Sequence, residues 1–347
     1  MNQKFYNTRP HTRISVLFAV MMGILVIVAG CNGTAVEPTK APADDITFQL
    51  SWIHEYSAAS FYMAVENGHF ANQNLNVTIA VGGFGAEGYI EPVAQVLSGE
   101  SDFGTASSTG VIQAQAAGQK VVGIATILQR SPLSLISLKD SNIVTPADLV
   151  GKTIMVSDGG ARTLLITFLT QQNIDLDSVT ILSRTTFGVE PLINGETQVL
   201  AGWLINEGVM VEEAGFESNF ILLSDYGLDD YDFVIFTSQE MIDTRPEIVD
   251  RFLRGYLAGL QDTIGNPAQA AEYVLKYDST LNLEGQLARL EVMLPLINPP
   301  GTPLGMMDMR VWEQSQAVLL EQQALTEPID LTTVFTNQFL EKIYAAE

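Results

Sequence analysis

Strand and helix patterns alternate along this chain in two rounds, and a helical tail follows. In the first round, residues 46–50 alternate apolar and polar positions as a strand does. A helical pattern over 58–67 stops at Gly68, a residue type that ends helices. Residues 76–81 read as a second strand closed by Gly82 and Gly83, 91–97 as a helix, and 102–104 as the start of a short strand. Ser107, Ser108 and Thr109 offer N-caps to a helix through Ala117, and 121–127 is an apolar run suited to a buried strand. The second round has strands at 133–138, 152–156, 178–182 and 198–202, a short helix begun by Thr145-Pro146, and a helix over 162–172. From Pro246 onward Phe252, Tyr256 and Leu260 fall at helical spacing. Such alternation predicts an α/β fold in which parallel strands carry helices on both faces. Two rounds predict two lobes with a ligand cleft between them. In this reading residues 46–130 plus 240–347 form lobe one and residues 131–239 form lobe two.

Before the first strand the pattern is different. Lys4, Arg9 and Arg13 precede an almost unbroken apolar run over 14–30, which ends Val28-Ala29-Gly30-Cys31. A basic start, an apolar core and small residues before a cut site describe a secretory signal peptide over 1–30. The run is short for a membrane span, which needs about 20 residues. The box resembles that of bacterial lipoprotein signals, and this resemblance implies a diacylated Cys31 at the start of the mature chain. Residues 31–45 are polar, contain Pro38 and Pro42 and lack periodicity, so they read as a tether. The expected location is the extracytoplasmic face of the cell membrane.

Cys31 is the single cysteine, so no disulfide stabilises the fold. The formal charge of −23 disfavours nucleic acid and anionic lipid headgroups as partners. His54 and His69 follow the signal without the spacing of a metal site, and no metal or cofactor is expected. GxSxG, HExxH and P-loop patterns are missing, so no motif indicates an enzyme.

The order of segments resembles the NMT1/THI5-like (SsuA/THI5) solute-binding proteins of bacterial ABC importers. The resemblance rests on Leu50-Ser51-Trp52, the apolar helix at Phe61-Tyr62-Met63-Ala64, and Glu66-Asn67-Gly68-His69-Phe70 before Asn74-Leu75-Asn76-Val77. Gly82-Gly83, the run from Ser98 to Gly104, and Gln129-Arg130-Ser131-Pro132-Leu133 continue it. Asp148-Leu149-Val150-Gly151-Lys152, Trp203-Leu204-Ile205-Asn206-Glu207, and Pro246 with Phe252 complete it. It implies a two-lobe periplasmic-binding-protein fold of type II, with mixed sheets flanked by helices. It also implies a monomer that delivers a small molecule to a permease and, through it, to an ATPase subunit. The family includes binders of sulfonates, nitrate, thiamine-pyrimidine precursors and riboflavin, and a pyrimidine-synthesising branch that uses pyridoxal phosphate. That enzyme branch needs a cofactor lysine, which the stretch after the first strand lacks, and a histidine that His54 matches only in displaced form.

Residues choose among these ligands. Lys and Arg are absent between Lys40 and Lys120 and between Arg184 and Arg245, the segments expected to supply most cleft loops. A sulfonate or nitrate site would need a cation or a helix N-terminus aimed at the charge, for which Ser108, Arg130 or the start of the helix at Arg162 are the candidates. Aromatic residues are better represented: Trp52, Tyr56, Phe84, Phe187, Trp203 and Tyr231 fall in or beside expected loops. Stacking on aromatic faces suits a flat heterocycle. His54 and Gly83 border the same loops, Asp158 is suited to ligand hydroxyls or to capping the next helix, and Asn206 with Glu207 offers polar contacts. Glu207 is the sharpest polar candidate and disfavours an anion. The expectation is a flat, uncharged ligand, with riboflavin favoured over a pyrimidine precursor or a sulfonate. Trp203→Ala and Glu207→Ala are expected to weaken binding with little loss of melting temperature.

Overall fold

A computed structural model describes residues 42–86, 88–186 and 188–346. The signal segment, Cys31 and most of the tether lie outside the described residues, as does Phe187. Among the described residues no helix is long and apolar enough to cross a membrane.

Two five-stranded sheets organise the fold. The strands are β1 (Asp44–Gln49), β2 (Leu75–Ala80), β3 (Phe84–Gly85), β4 (Gly88–Tyr89), β5 (Phe103–Ala106) and β6 (Val121–Thr126). They continue as β7 (Leu133–Leu138), β8 (Thr153–Val156), β9 (Thr180–Ser183), β10 (Val199–Trp203), β11 (Ser218–Leu222) and β12 (Val234–Ser238). The first sheet has the order β2-β1-β5-β12-β6 and the second β11-β7-β10-β8-β9, while β3 and β4 make a separate hairpin. The chain crosses between the sheets twice, after β6 and after β11. The first strand after each crossing runs against its neighbours: β7 is antiparallel to β10 and β11, and β12 is antiparallel to β5 and β6. The other strand pairs of the two sheets are parallel. The sheets are therefore mixed, where strand–helix alternation alone predicts parallel pairing. A crossing strand arrives from the opposite lobe, and direction of arrival is not written in its composition.

The same crossing relocates one segment. Val234–Ser238 falls within the stretch first read as lobe two, yet it is the fourth strand of the first sheet. Its register pairs Phe236 with Gly104 and Thr237 with Phe103.

The core of the first lobe shows why the helical tail returns to it. Helix Pro246–Gly265 presents Ile248, Val249, Phe252, Leu253, Tyr256 and Leu260 on one buried stripe. Phe252 lies at the centre, stacked on Phe103 at 4.1 Å and on Phe70 at 5.2 Å. Burying a side chain of this size contributes about 1.5–3 kcal/mol. The second lobe has its own core around Leu135, Ile154, Leu165, Phe168 and Val199.

The crossings are tied together side by side. The Ser131 N–H donates to Asp229 Oδ1 at 2.7 Å, and its hydroxyl donates to Asp232 Oδ2 at 3.1 Å. Arg130 donates to Ser224 Oγ at 2.9 Å and pairs with Asp225. These short links place a pair of connected strands at the base of the cleft between the lobes.

Candidate ligand-binding site

A cavity of about 500 Å³ opens between the sheets, lined from both lobes. The first lobe supplies Ser51, Trp52 and Glu55 from the loop after β1, Tyr89 from the hairpin, and Phe233 at the second crossing. The second supplies Leu133, Ser157, Ala161, Arg184, Ala201, Gly202, Trp203, Asn206 and Glu207. Asp232 completes the wall beside the crossings.

The loop after β1 is held to the sheet by a close approach. A Cβ on Gly82 would stand 2.1 Å from the Leu50 carbonyl oxygen, so only glycine lets the two backbones meet. The Gly82 N–H donates to the Trp52 carbonyl at 2.9 Å. Trp52 is 43% exposed and meets Phe84 edge-on at 6.2 Å, and Phe84 in turn meets Tyr89 at 5.5 Å. The Tyr89 hydroxyl donates to the Ser51 carbonyl at 2.8 Å. The hairpin thus carries an aromatic cluster at the mouth of the cavity.

On the opposite wall the sequence Trp203 to Glu207 leaves β10 and enters a π-helical turn over Leu204–Gly208. Such turns are rare and frequent at functional sites, because the extra residue re-aims side chains. Here Leu204 and Ile205 are buried while Asn206 and Glu207 face the cavity. Glu207 Oε2 accepts the Trp203 N–H at 2.9 Å. Glu207 Oε1 accepts from Arg184 Nη1 at 2.7 Å, an ion pair whose side chains are 13% and 5% exposed. Arg184 also donates to the carbonyls of Thr186 at 3.0 Å and Gly188 at 2.9 Å. Three of its five N–H donors are therefore occupied by the protein, one on each nitrogen. Trp203 packs edge-on against Phe233 at 5.7 Å, bridging the two lobes. The Tyr56 hydroxyl donates to Asn206 Oδ1 at 2.8 Å and orients that amide from the first lobe.

Trp52, Trp203, Asn206 and Glu207 are the sequence-derived candidates that line this cavity. The others among the described residues lie elsewhere. Tyr56 is buried and acts on the cavity through Asn206. His54 bonds Tyr62 at 2.7 Å beside Tyr277, and burial lowers its pKa. Gly83 backs the Ile53 and Trp52 side chains at positive φ, and Phe84 is 75% exposed behind Trp52. Ser108 is buried against Asp230 and Ser315. Arg130 is held by Ser224 and Asp225 at the crossing. Asp158 is on the surface, bound to Arg162 at 2.8 Å and to Ser183 at 3.1 Å. Tyr231 is buried, its oxygen accepting the Asp308 N–H at 2.8 Å.

Cations are scarce in the cavity wall as expected, but the one present is Arg184, not Arg130 or Arg162. The pairing of Arg184 with Glu207 argues against the expectation that Glu207→Ala brings little loss of melting temperature. Sequence separation hid the pair, because the partners lie on different elements joined only by the sheet. Glu55 is the other residue the fold brings forward. Its carboxyl sits in the wall, where burial pushes its pKa up to about 7 against the opposing effects of Ser57 and Arg289. Among the described residues no group of His, Cys, Asp and Glu is arranged to hold a metal ion.

Comparison with known proteins gives this geometry a setting. The chain is similar to the riboflavin-binding protein RibY of Chloroflexus aurantiacus, with 26% identity covering 93% of this chain and 98% of that protein. It is also similar to the formylaminopyrimidine-binding protein of Halalkalibacterium halodurans, with 24% identity over 92% and 98% of the two chains. A 4-amino-5-hydroxymethyl-2-methylpyrimidine phosphate synthase of Legionella pneumophila matches at 22% identity over 85% and 92%. The periplasmic aliphatic sulphonate-binding protein SsuA of Escherichia coli shares the fold, with a TM-score of 0.64 at 13% identity, covering 84% of this chain and 91% of that one. The family match spans residues 56–270, which contain both crossings and the cavity wall from Tyr89 to Phe233. With that match covering more than half of a chain folded in this way, the protein belongs to the NMT1/THI5-like family.

Proposed function

We propose that this chain is the ligand-capturing subunit of an ABC importer, anchored by lipid on Cys31 outside the cytoplasmic membrane, and that it takes a flat, uncharged heteroaromatic ligand, riboflavin first. The observation that carries this reading is the state of Arg184. It is the one cationic side chain lining the cavity among the described residues, and it is committed to Glu207 and two loop carbonyls. A sulfonate or nitrate entering here would meet a guanidinium whose charge Glu207 already balances, and would stand beside that carboxylate. Trp52, Tyr89 and Trp203 offer aromatic surface from both lobes instead. The relatives named for riboflavin and formylaminopyrimidine, both flat heterocycles, support the same chemistry.

The mechanism is closure without catalysis. A ring that contacts both lobes binds the closed arrangement better than the open one and shifts the population toward it. The linked segments at Ser131, Asp229 and Asp232 are where rotation is absorbed. The closed monomer then docks on a permease, and an associated ATPase subunit drives release and transport. Nucleic acid has no part in this cycle.

The test is a fluorescence and thermal-shift titration of the chain from residue 32 onward against riboflavin, with a formylaminopyrimidine and an alkanesulfonate alongside. Saturable quenching with a raised melting temperature is expected for riboflavin. A response to the pyrimidine alone would keep the importer and change its cargo, as the second relative suggests. A response to the sulfonate alone would overturn the neutral-ligand reading. Anchoring is tested by mass spectrometry of the full chain expressed in a bacterium, where Cys31→Ala should abolish acylation and release the protein from membranes.

A further inference from the structure

A second cavity of about 350 Å³ adjoins the first, sharing Leu133, Ala161, Trp203 and Asp232 with it. Its character differs. Asp229, Asp230 and Asp232 line it together with Gln113 and Gln322, and no Lys or Arg lines it among the described residues. Each aspartate uses one oxygen to hold the fold. Asp229 Oδ1 takes the Ser131 N–H, Asp232 Oδ2 the Ser131 hydroxyl, and Asp230 Oδ1 the hydroxyls of Ser108 and Ser315. The second oxygen of each accepts no hydrogen bond from the described residues. The pocket therefore presents free carboxyl oxygens next to the aromatic chamber.

We propose that this second compartment receives an uncharged, polyhydroxylated chain carried by the ring, and that its aspartates exclude the phosphorylated form of the same ligand. The inference rests on the flat-ring reading above and assigns the other half of the molecule. Hydroxyls can donate to the free carboxyl oxygens, and hydrogen bonds to charged or strongly polar acceptors discriminate well. A phosphate monoester brings a charge of roughly −1.5 to −2 at neutral pH. The opposing attraction is the N-terminus of helix Gly160–Gln171, whose first residues also line the pocket. A helix end acts as roughly half a positive charge, less than the charge of a single ionised carboxylate. Burial raises the pKa of Asp229, Asp230 and Asp232, and Asp230 raises that of Asp232 further, so the three hold fewer than three negative charges and a further anion would push more protons onto them.

The experiment compares three flavins on the chain from residue 32 onward: lumiflavin, which lacks the chain, riboflavin, and flavin mononucleotide. Riboflavin should bind at least about tenfold more tightly than lumiflavin and than the mononucleotide, one buried charged hydrogen bond being enough for that factor. Asp232→Asn keeps an acceptor for Ser131 and should narrow the gap between riboflavin and its phosphate. Leu164→Trp fills the second compartment from a residue that does not line the first, and should weaken riboflavin about tenfold while sparing lumiflavin. Lumiflavin binding also reports that each variant is folded. Equal affinity for riboflavin and the mononucleotide, or equal effects of Leu164→Trp on riboflavin and lumiflavin, would overturn the compartment while the flavin reading stands. Failure of all three flavins to bind would overturn both.

Discussion

Glu207 and Arg184 face each other at 2.7 Å in the wall of the cleft, and both are almost fully removed from solvent. Each is the other's counterion, so the wall gains hydrogen-bonding polarity there with little net charge. The pair also fixes the surrounding backbone, since Glu207 accepts the Trp203 N–H and Arg184 holds the carbonyls of Thr186 and Gly188.

Glu207→Ala should therefore cost stability as well as binding. It strands a buried guanidinium, a class of change that costs about 3–5 kcal/mol. Urea unfolding measures it. The double variant Glu207→Met/Arg184→Met should lose distinctly less than the single, because no unpaired charge remains. A double-variant loss equal to the sum of the losses of Glu207→Met and Arg184→Met measured singly would show that the pair is not coupled.

The two cleft tryptophans should separate. Trp52 is 43% exposed, so Trp52→Ala should alter stability by less than about 1 kcal/mol while weakening ligand capture. Trp203 packs against Phe233 and joins cores on both sides, so Trp203→Ala should cost about 2 kcal/mol in addition to binding. Calorimetric unfolding beside ligand titration distinguishes them.

Gly202→Ala tests how closely Glu207 is seated. A Cβ at that position would stand 2.9 Å from Glu207 Cδ, inside normal contact. Overpacking of this kind costs about 1–3 kcal/mol. Ligand affinity should fall through displacement of the carboxylate, and a high-resolution structure of the variant should show Glu207 moved. An unmoved Glu207 with full affinity would refute the prediction.

Glu55 should make the protein sensitive to pH near neutrality. Its folded pKa is raised to about 7 from 4.5, so the folded chain holds this proton more tightly than the unfolded one. By linkage, its contribution to stability is fully present at low pH and is lost as pH rises through the folded value. A ligand N–H donating to the Glu55 carboxylate favours the ionised form, so affinity should increase between about pH 6 and 8. Glu55→Gln should flatten both trends, leaving any contribution from His54 in place.

Much of this molecule was legible before folding. The strand at Asp44–Gln49, the helix Ser108–Ala116 capped by Ser107, and the stripe of helix Pro246–Gly265 follow from periodicity and capping chemistry within each segment. Trp203, Asn206 and Glu207 were recognisable because an aromatic and two polar residues follow a strand directly. Less legible were the antiparallel entry of Val234–Ser238 into the first sheet, the π-helical turn, and the place of Arg184. Phe84 and Asp158 had the right chemistry in the right kind of loop, yet one stands behind Trp52 and the other bonds Arg162.

Local pattern suffices for the α/β alternation, the separate signal-like start and the supply of aromatic residues, because each depends on neighbours a few positions apart. Tertiary structure alone decided which charges are free. Arg184 and Glu207 are 23 positions apart and Ser131 and Asp232 are 101. Whether such groups meet depends on how two sheets are ordered and where the chain crosses between them, and that long-range geometry sets what charge a ligand would meet in the cleft.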